Sequence, residues 1–203
     1  MASRELSKVR ERSGGFQLVI ALAALMWLVE VVDAIVGQRL DQYGIEPRDT
    51  DGLAGIVAAP FLHDGFPHLI ANTLPFLAMG VVIAFNGALR VAAVTAIVAL
   101  VGGLGTWLVA PAATVHIGAS GIVFGYATYL LSRGVFNRNL LELAIGLAVA
   151  AIWGTALLGG LLPQDGISWQ GHLVGAIGGV VAARVLASRR PAGRGARAGA
   201  SAA

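Results

Sequence analysis

Pro111-Ala-Ala-Thr-Val-His116-Ile-Gly118-Ala-Ser120-Gly121-Ile-Val-Phe124-Gly125 is the stretch that decides how this chain folds. Pro111 ends one apolar run, and the next lasts only from Ser120 to Ser132 before Arg133 interrupts it. Thirteen residues of helix rise about 20 Å, whereas the hydrocarbon core of a bilayer is about 30 Å thick. If that run lies in a membrane, residues 112–118 must descend from one face to meet it. Non-helical backbone at such depth is stable only when buried in protein or lining a wet cavity. The stretch therefore predicts a water-accessible pit, with Ser120 near its floor and a short fourth helix starting inside the bilayer.

The remainder of the chain calls for a membrane. Of its 203 residues 57% are hydrophobic and 12% charged, against about 25% charged in soluble domains. Six apolar segments are read at 16–36, 67–85, 89–110, 120–132, 140–161 and 170–187, giving an all-α, six-transmembrane-helix bundle. One domain over 16–187 is expected, after an N-terminal segment 1–15 and before a disordered basic tail 188–203. The first segment is too long for a signal-peptide core and lacks an A-x-A-like cleavage site, so it reads as a retained span. The absence of cysteine excludes disulfides, thiolate metal sites and thiol nucleophiles.

Charge sets the orientation. Arg4, Lys8, Arg10, Arg12, Arg90, Arg133, Arg138, Arg184, Arg189, Arg190, Arg194 and Arg197 fall on one side of a six-span weave, and only Arg39 and Arg48 on the other. Both termini are then cytoplasmic. The acids Asp41, Glu46, Asp49, Asp51, Asp64 and Asp165 lie opposite. A pI near 10 reflects these juxtamembrane clusters, and no nucleic-acid partner is expected. The abundance of Ala, Gly and Arg points to a GC-rich bacterial source and an inner membrane.

All four histidines, His63, His68, His116 and His172, fall at the outer face. Imidazole takes and returns protons near neutral pH. Gly118 and Gly121 permit a tight turn around Ser120. The free N–H groups and positive dipole end of the helix beginning there suit a developing oxyanion; alone, the same residues also describe an N-cap. His172 stands among Gly171, Gly175 and Gly179, a stripe that matches Gly121 and Gly125. Such stripes let membrane helices touch backbone to backbone, which would bring His172 beside Ser120; alone, it reads as an interfacial residue. No acid lies near it in sequence, so the pair would be a Ser-His dyad. Phe124, one turn after Ser120, is placed to stack on the imidazole. His68 and Asn72 share one face of the second span. Asn72 either bonds a neighbouring helix or donates to a substrate oxyanion. His63 reads as a loop anchor.

His63-x4-His68-x3-Asn72, Gly-Ala-Ser120-Gly and Gly-His172 with its glycine stripe, in that order and on those spans, resemble the rhomboid family of intramembrane serine proteases. The resemblance covers residues 16–187. It implies Ser120 as nucleophile and His172 as general base and acid. His68 and Asn72, with the Ser120 N–H, would line the oxyanion hole. It further implies hydrolysis of a peptide bond in or near a substrate's transmembrane helix, without cofactor or metal, and substrate entry between the second and fifth spans. Two departures stand out: Pro47-Arg48 replaces the family's Trp-Arg pair, and Phe124 stands where many members carry Tyr. Competing readings fit less well. A metalloprotease needs His-Glu-x-x-His, and a zinc site here would lack carboxylate and thiolate ligands. A transporter needs mid-membrane charge, whereas Glu30, Asp33 and Glu142 lie near span ends where they can snorkel. A non-catalytic helix-binding relative would be expected to lack Ser120 or His172.

Overall fold

The structure, a computed structural model, describes residues 2–187; the expected disordered tail 188–203 lies outside the described residues. Within the described residues seven α-helices follow one another: α1 (Ala2–Val36), the single turn α2 (Gly55–Ala58), α3 (Gly65–Ala84), α4 (Ala88–Val109), α5 (Ser120–Asn137), α6 (Leu140–Gly160) and α7 (Trp169–Val185). Among the described residues there is no strand; one antiparallel bridge joins Ile45 to His116. The helix ends have local causes. Gly87, at φ 90°, makes the turn into α4. The Asn139 side chain accepts the N–H groups of Leu141 and Glu142 and so caps α6.

Among the described residues, four helices are long and apolar enough to cross a membrane on length and composition: α1 over Glu5–Val36, α3, α4 and α6. The helix after the descending loop is longer than the apolar run suggested. It continues through Arg133 to Asn137, 18 residues in all, or about 27 Å. Arg133 does not break it because Glu142 of α6 meets the guanidinium at 2.6 Å and Asn137 donates to the same carboxylate at 2.7 Å. It ends where Arg138 turns left-handed and its N–H reaches the carbonyls of Gly134 and Val135.

α5 is the centre of the bundle, touching α3, α4, α6 and α7, while α7 packs on α4 and α5. Val19, Phe76, Met79, Ile83, Val94, Tyr126 and Leu130 fill the core. Where lipid replaces water, close backbone packing holds helices together better than apolar burial does. A Cβ at Gly175 would strike the Gly121 carbonyl, and one at Gly179 the Gly125 carbonyl. The two stripes read from sequence are therefore the α5–α7 contact itself.

The first long loop, between α1 and α3, is fastened despite its Pro47-Arg48. Arg48 donates to the carbonyls of Leu108 and Ala110 at 3.1 and 2.7 Å, satisfying carbonyls at the end of α4. The Trp107 indole of α4 returns a bond to the Asp49 carbonyl at 2.7 Å.

Candidate active site

Residues 111–119 connect α4 to α5 without helix, and the first loop grips them. Ile45 and His116 exchange both backbone hydrogen bonds at 3.0 Å, the Gly118 N–H donates to the Ala59 carbonyl at 2.8 Å, and the Ala119 N–H donates to His63 Nε2 at 3.3 Å. His63 is buried, and burial, with His68 beside it, lowers its pKa to about 4. It is therefore neutral at physiological pH, with Nε2 as acceptor. It ties the 111–119 segment to the first loop.

That scaffold delivers Ser120 to the first position of α5, and α7 delivers His172 opposite. Ser120 Oγ lies 2.8 Å from His172 Nε2. His172 Nδ1 lies 2.6 Å from the Gly160 carbonyl at the end of α6. A carbonyl only accepts, so the ring hydrogen sits on Nδ1 and Nε2 offers its lone pair to the serine hydroxyl. Orientation of the imidazole, which sequence left without a partner, comes from main chain. Phe124 lies flat on the imidazole, centroids 4.3 Å apart and planes 7° apart. A Cβ at Gly160 would come within 2.9 Å of Phe124 and 3.1 Å of His172 Nδ1, so that glycine leaves room for the stack.

His68 and Asn72 of α3 face the same space. The Asp64 N–H approaches His68 Nδ1 at 3.4 Å, which leaves Nε2 as the donor. One amide hydrogen of Asn72 goes to the His68 carbonyl at 3.1 Å and the other is free. Gly118, at φ 108°, lies under the imidazole: a Cβ there would meet His68 Nε2 at 2.8 Å. Ser120, as first helical residue, contributes an N–H without an intrahelical acceptor. A cleft of about 1010 Å³ collects these groups, lined by His68, Asn72, Ser120, Phe124, Gly160 and His172. Gly121, Gly171 and Gly175 stand behind it at the α5–α7 contact. His116 and Ser168 also line it, 2.6 Å apart between Nδ1 and Oγ.

Acid gathers at the rim. Asp41 and Asp64 line the cleft, and Glu30 and Asp33 lie within electrostatic reach of Asp41. Glu30 and Asp33 do not snorkel outward: each is 1% exposed, covered by the loop, and Asp33 accepts the Leu40 N–H at 2.7 Å. Glu142 is likewise held by Arg133 and Asn137. Burial, then Asp33, Asp64 and Glu30, push Asp41 up to about 6. The folded protein thus holds that proton more tightly than the unfolded chain. This contribution to stability is present below pH 3.8 and lost as pH rises through about 6. Asp41→Asn is uncharged at every pH. Its thermal midpoint in detergent is expected to exceed wild type at pH 7.5, with the gap closing toward pH 4; an advantage that grows on acidification would overturn this account. Among the described residues, no group of three His, Asp or Glu side chains is spaced to hold a metal ion.

Comparison with known proteins gives a consistent result. The Rhomboid domain family model matches residues 50–189. An uncharacterized protein of Mycobacterium tuberculosis (strain ATCC 25618 / H37Rv) is 46% identical over 182 residues, covering 86% of this chain and 76% of its own. An uncharacterized protein of Mycobacterium leprae (strain TN) is 43% identical over 179 residues, covering 84% and 70%. A Bacillus subtilis (strain 168) protein named "Putative rhomboid protease YdcA" is 28% identical over 165 residues, covering 79% and 82%.

Proposed function

We propose, from the premise that this chain belongs to the rhomboid family, that it is an intramembrane serine endopeptidase. Its Ser120-His172 dyad would cleave peptide bonds in or near the transmembrane helices of its substrates. The observation that carries the reading is the 2.8 Å Ser120–His172 contact, with the imidazole fixed by the Gly160 carbonyl, at a cleft that also exposes donors from His68 and Asn72.

The chemistry follows from that polarity. A substrate segment unwinds and extends into the cleft. Ser120 Oγ bonds to the carbonyl carbon as its proton passes to His172 Nε2, and the oxygen that becomes negative receives the Ser120 N–H, Asn72 Nδ2 and His68 Nε2. The carbon–nitrogen bond breaks while His172 returns the proton to the leaving amine. Water then attacks the acyl-enzyme, giving its proton to His172, and the serine leaves reprotonated. Ser120, His172 and water balance every step.

We read residues 16–187 as one catalytic domain of six spans, α1 and α3 to α7, in a bacterial inner membrane. Both termini are cytoplasmic in this reading and the cleft opens to the extracytoplasmic side. The basic-residue asymmetry supports it, as does the acidic rim. α5, starting at Ser120 below the descending loop, is the span that begins within the bilayer.

Co-reconstitution in liposomes with a model substrate, whose transmembrane helix carries a Gly/Ala-rich, helix-weakening stretch, is the test. The expected result is a pair of fragments whose new termini map to that stretch. An intact substrate in the presence of folded protein would instead favour a helix-binding, non-catalytic member.

A further inference from the structure

We propose that His116 and Ser168 form a clamp that sets the spacing of the dyad; this positioning role rests on the serine-protease reading. The dyad sits on two separate elements, Ser120 after the 111–119 segment and His172 on α7. Glycine contacts fix how closely α5 and α7 approach. Two turns below the dyad the Thr128 hydroxyl of α5 reaches the Ala176 carbonyl of α7 at 2.7 Å. At the level of Ser120 and His172, however, the facing surfaces are small residues with little side-chain interdigitation to resist a slide along the helix axes.

The clamp lies one step away on both elements. His116 is four residues before Ser120 and Ser168 four before His172, so the His116–Ser168 and Ser120–His172 couples share the same separation of 52 residues. It forms a parallel rung with the roles exchanged. Its hydrogen-bond polarity is determined by its partners. Thr114 Oγ1 donates to the Pro111 carbonyl at 2.7 Å and so accepts from His116 Nε2 at 2.8 Å. That leaves the Nδ1 lone pair to accept the Ser168 hydroxyl hydrogen at 2.6 Å. Each end is separately anchored. The His116 backbone is locked to Ile45, and the Ser168 carbonyl accepts the His172 N–H at 3.0 Å. Both residues also border a cavity of about 50 Å³ behind Ser120, so the clamp crosses the wall between that cavity and the open cleft.

The test is steady-state cleavage of the model transmembrane substrate by His116→Asn, His116→Gln, Ser168→Ala and the His116→Gln/Ser168→Ala double variant, with thermal midpoints in detergent. The Asn carbonyl oxygen occupies the Nδ1 position and keeps the bond from Ser168. The Gln amide reaches toward Thr114 and loses it. His116→Gln and Ser168→Ala are each expected to lower kcat by about tenfold to a hundredfold with KM unchanged, as misplacement of a catalytic pair does. His116→Asn is expected to stay near wild type, and the double variant to be no worse than either single. Should His116→Gln fail to fold, Ser168→Ala against Ser168→Thr, which keeps the hydroxyl, decides the matter, with only the alanine impaired. Equal impairment by Asn and Gln, losses confined to KM, or wild-type rates for Gln and Ser168→Ala would overturn the clamp. An inactive but folded wild type would instead overturn the protease reading beneath it.

Discussion

Alanine at Ser120 is expected to lower peptide-bond cleavage by about 10⁴- to 10⁶-fold, the range seen when a serine nucleophile is removed from other hydrolases. His172→Ala should fall as far, because without Nε2 the serine proton has no acceptor within 2.8 Å. The double variant should be no slower than either single, since each already disables the same step. The measurement is twofold: turnover of a transmembrane substrate in liposomes, and covalent labelling of detergent-purified protein by a fluorophosphonate. Labelling should require both residues. The thermal midpoint of Ser120→Ala should stay close to wild type, whereas His172→Ala gives up the Phe124 stack and the Gly160 bond and should melt somewhat lower. Label that persisted on Ser120→Ala would identify another serine as the nucleophile and remove the assignment.

The second large effect concerns a residue that never meets substrate. Gly175→Ala adds one methyl group, which would land on the Gly121 carbonyl. No flexible side chain stands there to yield, so α7 must withdraw from α5. Overpacking of this kind costs about 1–3 kcal/mol, and the larger Gly175→Val should reach the upper end or exceed it. The same withdrawal moves His172, one turn earlier on α7, away from Ser120. Loss of fluorophosphonate labelling should therefore accompany the lower thermal midpoint. Gly154→Ala is the matched control: nothing lies within 4 Å of a Cβ there, so its midpoint should hold or rise slightly. Equal behaviour of the two alanine variants would remove the glycine contact as the device that joins the dyad.

Much of this arrangement was legible in the amino-acid order because membrane helices declare their contacts through small residues. The stripes at Gly121/Gly125 and Gly171/Gly175/Gly179 give the helix pairing, and the pairing brings Ser120 to His172. What sequence concealed falls into two kinds. Main-chain partners carry no residue signature: the Gly160 carbonyl that orients His172 would be available from any residue, and it is the need to spare Phe124 and the imidazole that makes that residue glycine. Distant polar pairings were equally opaque. Arg133 reads as the end of an apolar run, but its partnership with Glu142 lets α5 run on to Asn137. Arg48 holds the end of α4 through carbonyls 60 and 62 residues away. Glu30 and Asp33 read as residues at a helix end free to reach water, until the folded loop covers them. Ser168 gave no signal at all, being a lone serine before a tryptophan.

The bond from His172 to Gly160 has a mechanical consequence. α6 is the least buried of the four long apolar helices and rests chiefly on α5, yet it holds the acceptor that fixes the imidazole. Under the proposed chemistry, an outward tilt that carried Gly160 beyond hydrogen-bonding range would leave either ring nitrogen free to carry the hydrogen, and Ser120 would lose its dedicated proton acceptor. Under the proposed dyad, that one bond couples the seating of α6 to the readiness of Ser120.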